Sequence, residues 1–196
     1  MKKLLITGFD PFGGAAVNPS REAVMALPHR IGDWELTRLE VPTVFGLAAR
    51  RVLDAATELQ PHAIICVGQA GGRGAVTPEV VGINLREATI PDNHGQQPQN
   101  VPVAEGAPAA YFSTLPVREM VTAIRARGIP AALSYSAGAF VCNDLLYTLL
   151  HVYHDTAVQV GFIHIPYLPE QAEEGAPSLP LDTVIQALTA AITALK

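Results

Sequence analysis

Three short apolar runs limit this chain to few folds. Lys3 to Thr7, Ala63 to Gly68 and Val158 to Ile165 are nearly uninterrupted hydrophobic segments, of the kind a sheet buries on both faces. Between them lie stretches with helical spacing: Asn18 through Leu27, Val44 to Leu59, Pro116 to Arg127, Leu145 to Tyr153 and Leu181 to Leu195. Glu35 to Val41 alternates as a strand, Ala131 to Ser134 reads as another, and Val76 to Leu85 holds one or two short ones. Strands alternating with helices predict a three-layer α/β/α fold with a mainly parallel twisted central sheet. A chain of 196 residues, 49% hydrophobic and only 16% charged, can build one large core, so a single domain over 1–196 is expected.

Charge and cysteine usage narrow the function classes. The net charge is −5 and no run of Lys or Arg forms a stripe, which argues against nucleic acid as a partner. Met1 to Ile6 resembles the start of a signal peptide, but the apolar run stops at Thr7 and Asp10 follows. No stretch reaches the length of a transmembrane helix. Cys66 and Cys142 are not in a Cys-x-x-Cys pair, and no histidine cluster has zinc spacing. Two free thiols in a cytoplasmic protein without a structural metal is the expectation. Ile90 to Pro108 is rich in Pro, Gly, Asn and Gln and lacks a core pattern, which suits a lid, an interface arm or both.

In such sheets, ligands bind beyond the carboxyl ends of the strands. Those ends carry Phe9 to Gly14, Gln69 to Gly72, Gly138 to Cys142, and His164 to Tyr167. Cys142 precedes Asn143, Asp144 and a leucine-rich helical pattern, so it stands at or just before a helix N-terminus. There, free backbone N–H groups and the dipole favour a thiolate. Cys142 is the candidate nucleophile, against the plainer reading of a small buried core residue. His29, His62, His94, His151 and His154 sit in loops, after proline or on a polar helix face. His164 ends an apolar strand and falls next to Cys142 in this topology, on a neighbouring strand end. Glu79 is the candidate third member that would orient the imidazole, or else an ordinary turn carboxylate. Gly68 to Arg73 lacks both the Walker ending and the dinucleotide glycine spacing, so a nucleotide loop is poorly supported.

These segments together resemble the pyrrolidone-carboxylate peptidases (pyroglutamyl peptidase, type I). The match runs in order through Thr7 to Gly14 with Asn18-Pro19-Ser20, Val41 to Phe45, Gly68 to Arg73, Ile90 to Asn93, Ser136 to Gly138 with Phe140 to Asn143, and Phe162 to Tyr167, and so covers essentially the whole chain. The resemblance implies a cytoplasmic cysteine exopeptidase that removes N-terminal pyroglutamate, often as a homotetramer, with its triad on Cys142, His164 and Glu79. It requires no metal or organic cofactor. Phe9 and Phe12 are candidates for an apolar slot around the lactam, with Asn18, Gln69 and Val141 as further substrate contacts. Two positions depart from the pattern: Thr89 where an arginine usually precedes Ile-Pro-Asp-Asn, and Val80 where one usually follows the glutamate. A nucleoside phosphorylase, or a catalytically silent binding protein on the same fold, are the alternatives.

Overall fold

The structure, a computed structural model, describes residues 1–195. Its central sheet has six strands: β1 (Lys2–Phe9), β2 (Arg30–Ile31), β3 (Trp34–Val41), β4 (Ala63–Gln69), β5 (Thr77–Pro78) and β8 (Gln159–Ile165). They run in the order β2-β3-β1-β4-β8-β5. The inner four are parallel, and the two-residue strands at the edges, β2 and β5, are antiparallel to their neighbours. A hairpin of β6 (Val81–Ile83) and β7 (Ala110–Phe112) stands beside this sheet.

Alternation along the strands divides the core between two helix layers. Leu4, Ile6, Ile65, Val67, Ile163 and Ile165 face α1 (Pro19–Ala26), α3 (Val117–Arg125) and α5 (Leu181–Thr193). Leu5, Ile64, Cys66, Val160 and Phe162 face α2 (Leu47–Leu59) and α4 (Val141–Tyr153). The α/β/α prediction holds, with a parallel centre and mixed edges.

Three local expectations need correction. The second helix begins at Leu47, not Val44. Val44 closes a turn on Pro42, while the Phe45 and Gly46 N–H groups donate to the carboxylates of Asp92 and Asp144 instead of starting a helix. Ala131 to Ser134 does not form a strand of the ladder. It touches the β5 region through isolated bridges at Val76–Ala131 and Glu79–Ser134. The position beside β8 belongs to β5, so Cys142 is brought to the site by a helix rather than by a neighbouring strand. The 90–108 segment is held within the chain: Arg86 and Val101 exchange backbone bonds, and Asn93 reaches Asp10 and Pro11.

Candidate active site

His164 and Glu79 meet at the carboxyl end of the sheet. Thr77 of β5 pairs with His164 of β8, and the chain turning out of β5 carries Glu79 back over the imidazole. His164 Nδ1 and Glu79 Oε1 are 2.7 Å apart, and both side chains are buried. This bond commits Nδ1 and leaves Nε2 as the ring nitrogen available to a thiol. The ring also packs on Phe162, two residues back on the same strand face, with centroids 4.6 Å apart.

Glu79 has a second partner that the sequence reading did not find. Arg73 donates from one guanidinium nitrogen to Glu79 Oε1 and to Thr77 Oγ1, both at 2.7 Å, and from another to the Ser136 carbonyl at 2.9 Å. It thus joins the acid to the loop that leads into Cys142. Burial would raise the Glu79 carboxyl, but the hydrogen bond and charge of His164, with Ser134 and Arg73, hold it below its ordinary value. Val80, where the resemblance expects an arginine, is half-buried between backbone bonds to Ser134 and Ser113. Thr89 is exposed. The cation on the glutamate is Arg73.

Cys142 is the second residue of α4, inside the helix's first turn, and no side chain caps that end. Asn143 and Asp144 fix it. Asn143 accepts from the Ile83 N–H and donates to the Ile83 and Leu85 carbonyls. Asp144 is fully buried and receives the Gly46 N–H and the Arg86 guanidinium. These two side chains anchor the helix to its surroundings rather than capping it. The thiol rests against β4: a Cβ on Gly68 would stand 3.0 Å from Cys142 Sγ and 2.7 Å from the Phe162 ring. Gly68 is the register partner of His164, so thiol and imidazole share one strand end.

Burial of the thiol opposes the thiolate that the helix terminus alone favours. Although Cys142 is partly exposed, its thiol is pushed up to about 12 by burial first, then by the Glu79 and Cys66 groups, with Arg73 opposing. Burial also lowers His164, against the pull of Glu79. Both shifts favour the uncharged thiol and the uncharged imidazole. Cys66, fully buried under the sheet, is also pushed up to about 12.

The expected substrate contacts divide. Phe12 and Gln69 line an open cleft, and Phe12 packs on Phe140, two residues before Cys142. Gln69 Oε1 is buried without a hydrogen-bond partner. Phe9 is buried against Phe162, so it supports the site from beneath and does not wall a slot. Asn18 caps α1: it accepts from Ser20 and donates to the Asp10 carbonyl, and it is buried away from the cleft. Val141 is fully buried at the start of α4. Among the described residues no three His, Cys, Asp or Glu side chains are grouped to hold a metal ion.

The comparisons with known proteins agree on one family. The profile described as Pyroglutamyl peptidase matches residues 2–196. A pyrrolidone-carboxylate peptidase of Escherichia fergusonii is 52% identical, with 100% of this chain and 94% of that protein covered. The crystal structure of pyroglutamyl peptidase I from Bacillus amyloliquefaciens superposes with a TM-score of 0.95 at 50% identity, covering 100% of this chain and 97% of that one. The pyrrolidone carboxyl peptidase of Thermococcus litoralis gives 0.93 at 36% identity, covering 100% and 93%. The nucleoside phosphorylase and silent-binder alternatives draw no support from these relatives.

Proposed function

The chain belongs to the pyroglutamyl peptidase family, a family of cysteine-type hydrolases, and from that membership we propose that Cys142, His164 and Glu79 remove the N-terminal pyroglutamyl residue from peptides. The observation that carries the assignment of roles is the buried 2.7 Å contact between Glu79 and His164 Nδ1 at the strand end where Cys142 Sγ rests.

The thiol of Cys142 passes its proton to His164 Nε2 as sulfur attacks the pyroglutamyl carbonyl carbon. The oxyanion that forms is met by the uncapped N–H groups in the first turn of α4, each worth about 3 kcal/mol in comparable sites. The C–N bond breaks, His164 protonates the leaving amine, and a thioester to Cys142 remains. His164 then takes a proton from water, which hydrolyses the thioester and frees pyroglutamate. Glu79, held ionised by His164, Ser134 and Arg73, stabilises the imidazolium in each half-reaction. The unpaired Gln69 Oε1 is an acceptor suited to the lactam N–H, and Phe12 supplies apolar surface. Residues 1–196 act as one peptidase domain in the cytoplasm, as a homo-oligomer, with the tetramer suggested by the family resemblance. No described helix is long and apolar enough to cross a membrane.

A fluorogenic pyroglutamyl amide tests the reading. Wild-type protein should release the fluorophore, and iodoacetamide or Cys142→Ser should abolish release, while Cys66 labels slowly because it is fully buried. Activity that survives complete alkylation of Cys142 would overturn the nucleophile. Prolyl amides should be cleaved about 10⁴-fold less efficiently, since they lack the ring carbonyl and carry a charged amine.

A further inference from the structure

A cleft of about 510 Å³ opens beside the candidate site, walled by Phe12, Gln69, Ile90, Tyr167, Glu170 and Gln171 among others. Cys142, His164 and Glu79 do not line it, yet it adjoins them on two sides. Gln69 directly follows Gly68, against which the thiol rests, and Tyr167 is three residues beyond His164. The cleft is also built, not a gap between loose loops. Gln171 donates to the Val17 carbonyl at 2.8 Å and accepts from Leu168, fastening the 168–172 turn to the loop after β1. Tyr167 packs so closely over Gly71 that a Cβ there would lie 2.2 Å from its ring.

The volume is far more than a five-membered lactam fills and falls in the range of sites for larger ligands. A substrate whose first residue is a closed ring has nothing on its N-terminal side. The stretch of the cleft beyond Phe12 and Gln69, where the lactam sits, can therefore receive only the leaving peptide. We propose that the part of this cleft beyond Phe12 and Gln69 binds the leaving segment of the substrate and that Glu170 makes it prefer a basic residue at one of that segment's first two positions. The proposal rests on the peptidase reading above. Glu170 is exposed at the cleft rim and has no ion-pair partner among the described residues. Residues 169–175 add Glu173 and Glu174 and carry no Lys or Arg. The opposite wall, Gly13 to Val17, is uncharged, so nothing on it offsets the negative rim.

The test compares pyroglutamyl-Xaa-Ala amides and pyroglutamyl-Ala-Xaa amides in which Xaa is Lys, Ala or Glu, beside a pyroglutamyl coumarin amide that has no leaving peptide. At low salt the Lys peptides of one series should exceed their Glu counterparts in kcat/KM by about threefold, as for a partly exposed charge pair, and the gap should close at high salt. Glu170→Gln should erase most of the gap and Glu170→Lys should invert it. If wild-type protein cleaves the coumarin amide but treats Lys and Glu peptides alike, or if the preference survives in Glu170→Gln, the proposal is overturned while the peptidase reading stands. If no pyroglutamyl substrate is cleaved, both fall.

Discussion

Arg73 and Glu79 act on His164 in opposite directions: the guanidinium lowers the imidazole's proton affinity, and the carboxylate raises it. Two substitutions should therefore move the acid limb of kcat/KM, which requires neutral His164, in opposite senses. Arg73→Met should carry it to higher pH, and Glu79→Gln to lower pH with a kcat about 10²-fold reduced. Arg73→Lys keeps the charge and should leave the limb in place, while losing the reach to Ser136. A pH–rate profile decides this, and limbs that move together would remove Arg73 from the site's electrostatics. Cys142 and His164 were legible in the sequence because each ends an apolar run where ligands bind. Arg73 was not, since its importance lies in meeting residues 79 and 136 in space, and a lone arginine after Gly-Gly looks like loop. Nor could Thr77-Pro78-Glu79-Val80, which reads as a turn, reveal that Glu79 is buried.

The helix that carries the proposed nucleophile is placed by polar side chains, not by its cap. Asn143 makes three hydrogen bonds to the backbone of Ile83 and Leu85, so α4 is tied to β6 at the turn that holds Cys142. Asn143→Ala should lower unfolding free energy by about 2 kcal/mol, since it strands partly buried backbone groups, and should reduce kcat more than stability alone accounts for. Urea unfolding paired with kcat measured well below the melting range separates the two effects. An unchanged kcat would mean the first turn of α4 is held by Asp144 alone. At this scale, periodicity exposed every helix to within a few residues, because each has an apolar face. β7 and the bridges of Ala131 to Ser134 were beyond it: two or three residues are too few to carry a period, and their pairing is decided by the partner.

Across the whole molecule, the site's imidazole and carboxylate set an acid limit on the fold. His164 is lowered from 6.5, chiefly by burial, so the unfolded chain takes up its proton first as pH falls. Glu79 is held below 4.5 by His164, Ser134 and Arg73 against the cost of burial, and the unfolded chain again protonates first. Both contributions are complete above the unfolded values and are lost as pH descends, so they add in the same direction. Stability from these groups should be level above about 6.5, begin to fall below it as His164's share goes, and fall more steeply below about 4.5 as Glu79 joins. His164→Gln removes the first group, so its stability should stay flatter than the wild type's between pH 7.5 and 5.5. Urea midpoints for the two proteins across that interval make the comparison. If both curves decline in parallel, the early acid loss arises elsewhere, and burial of the neutral imidazole is not what ties this fold to its working pH.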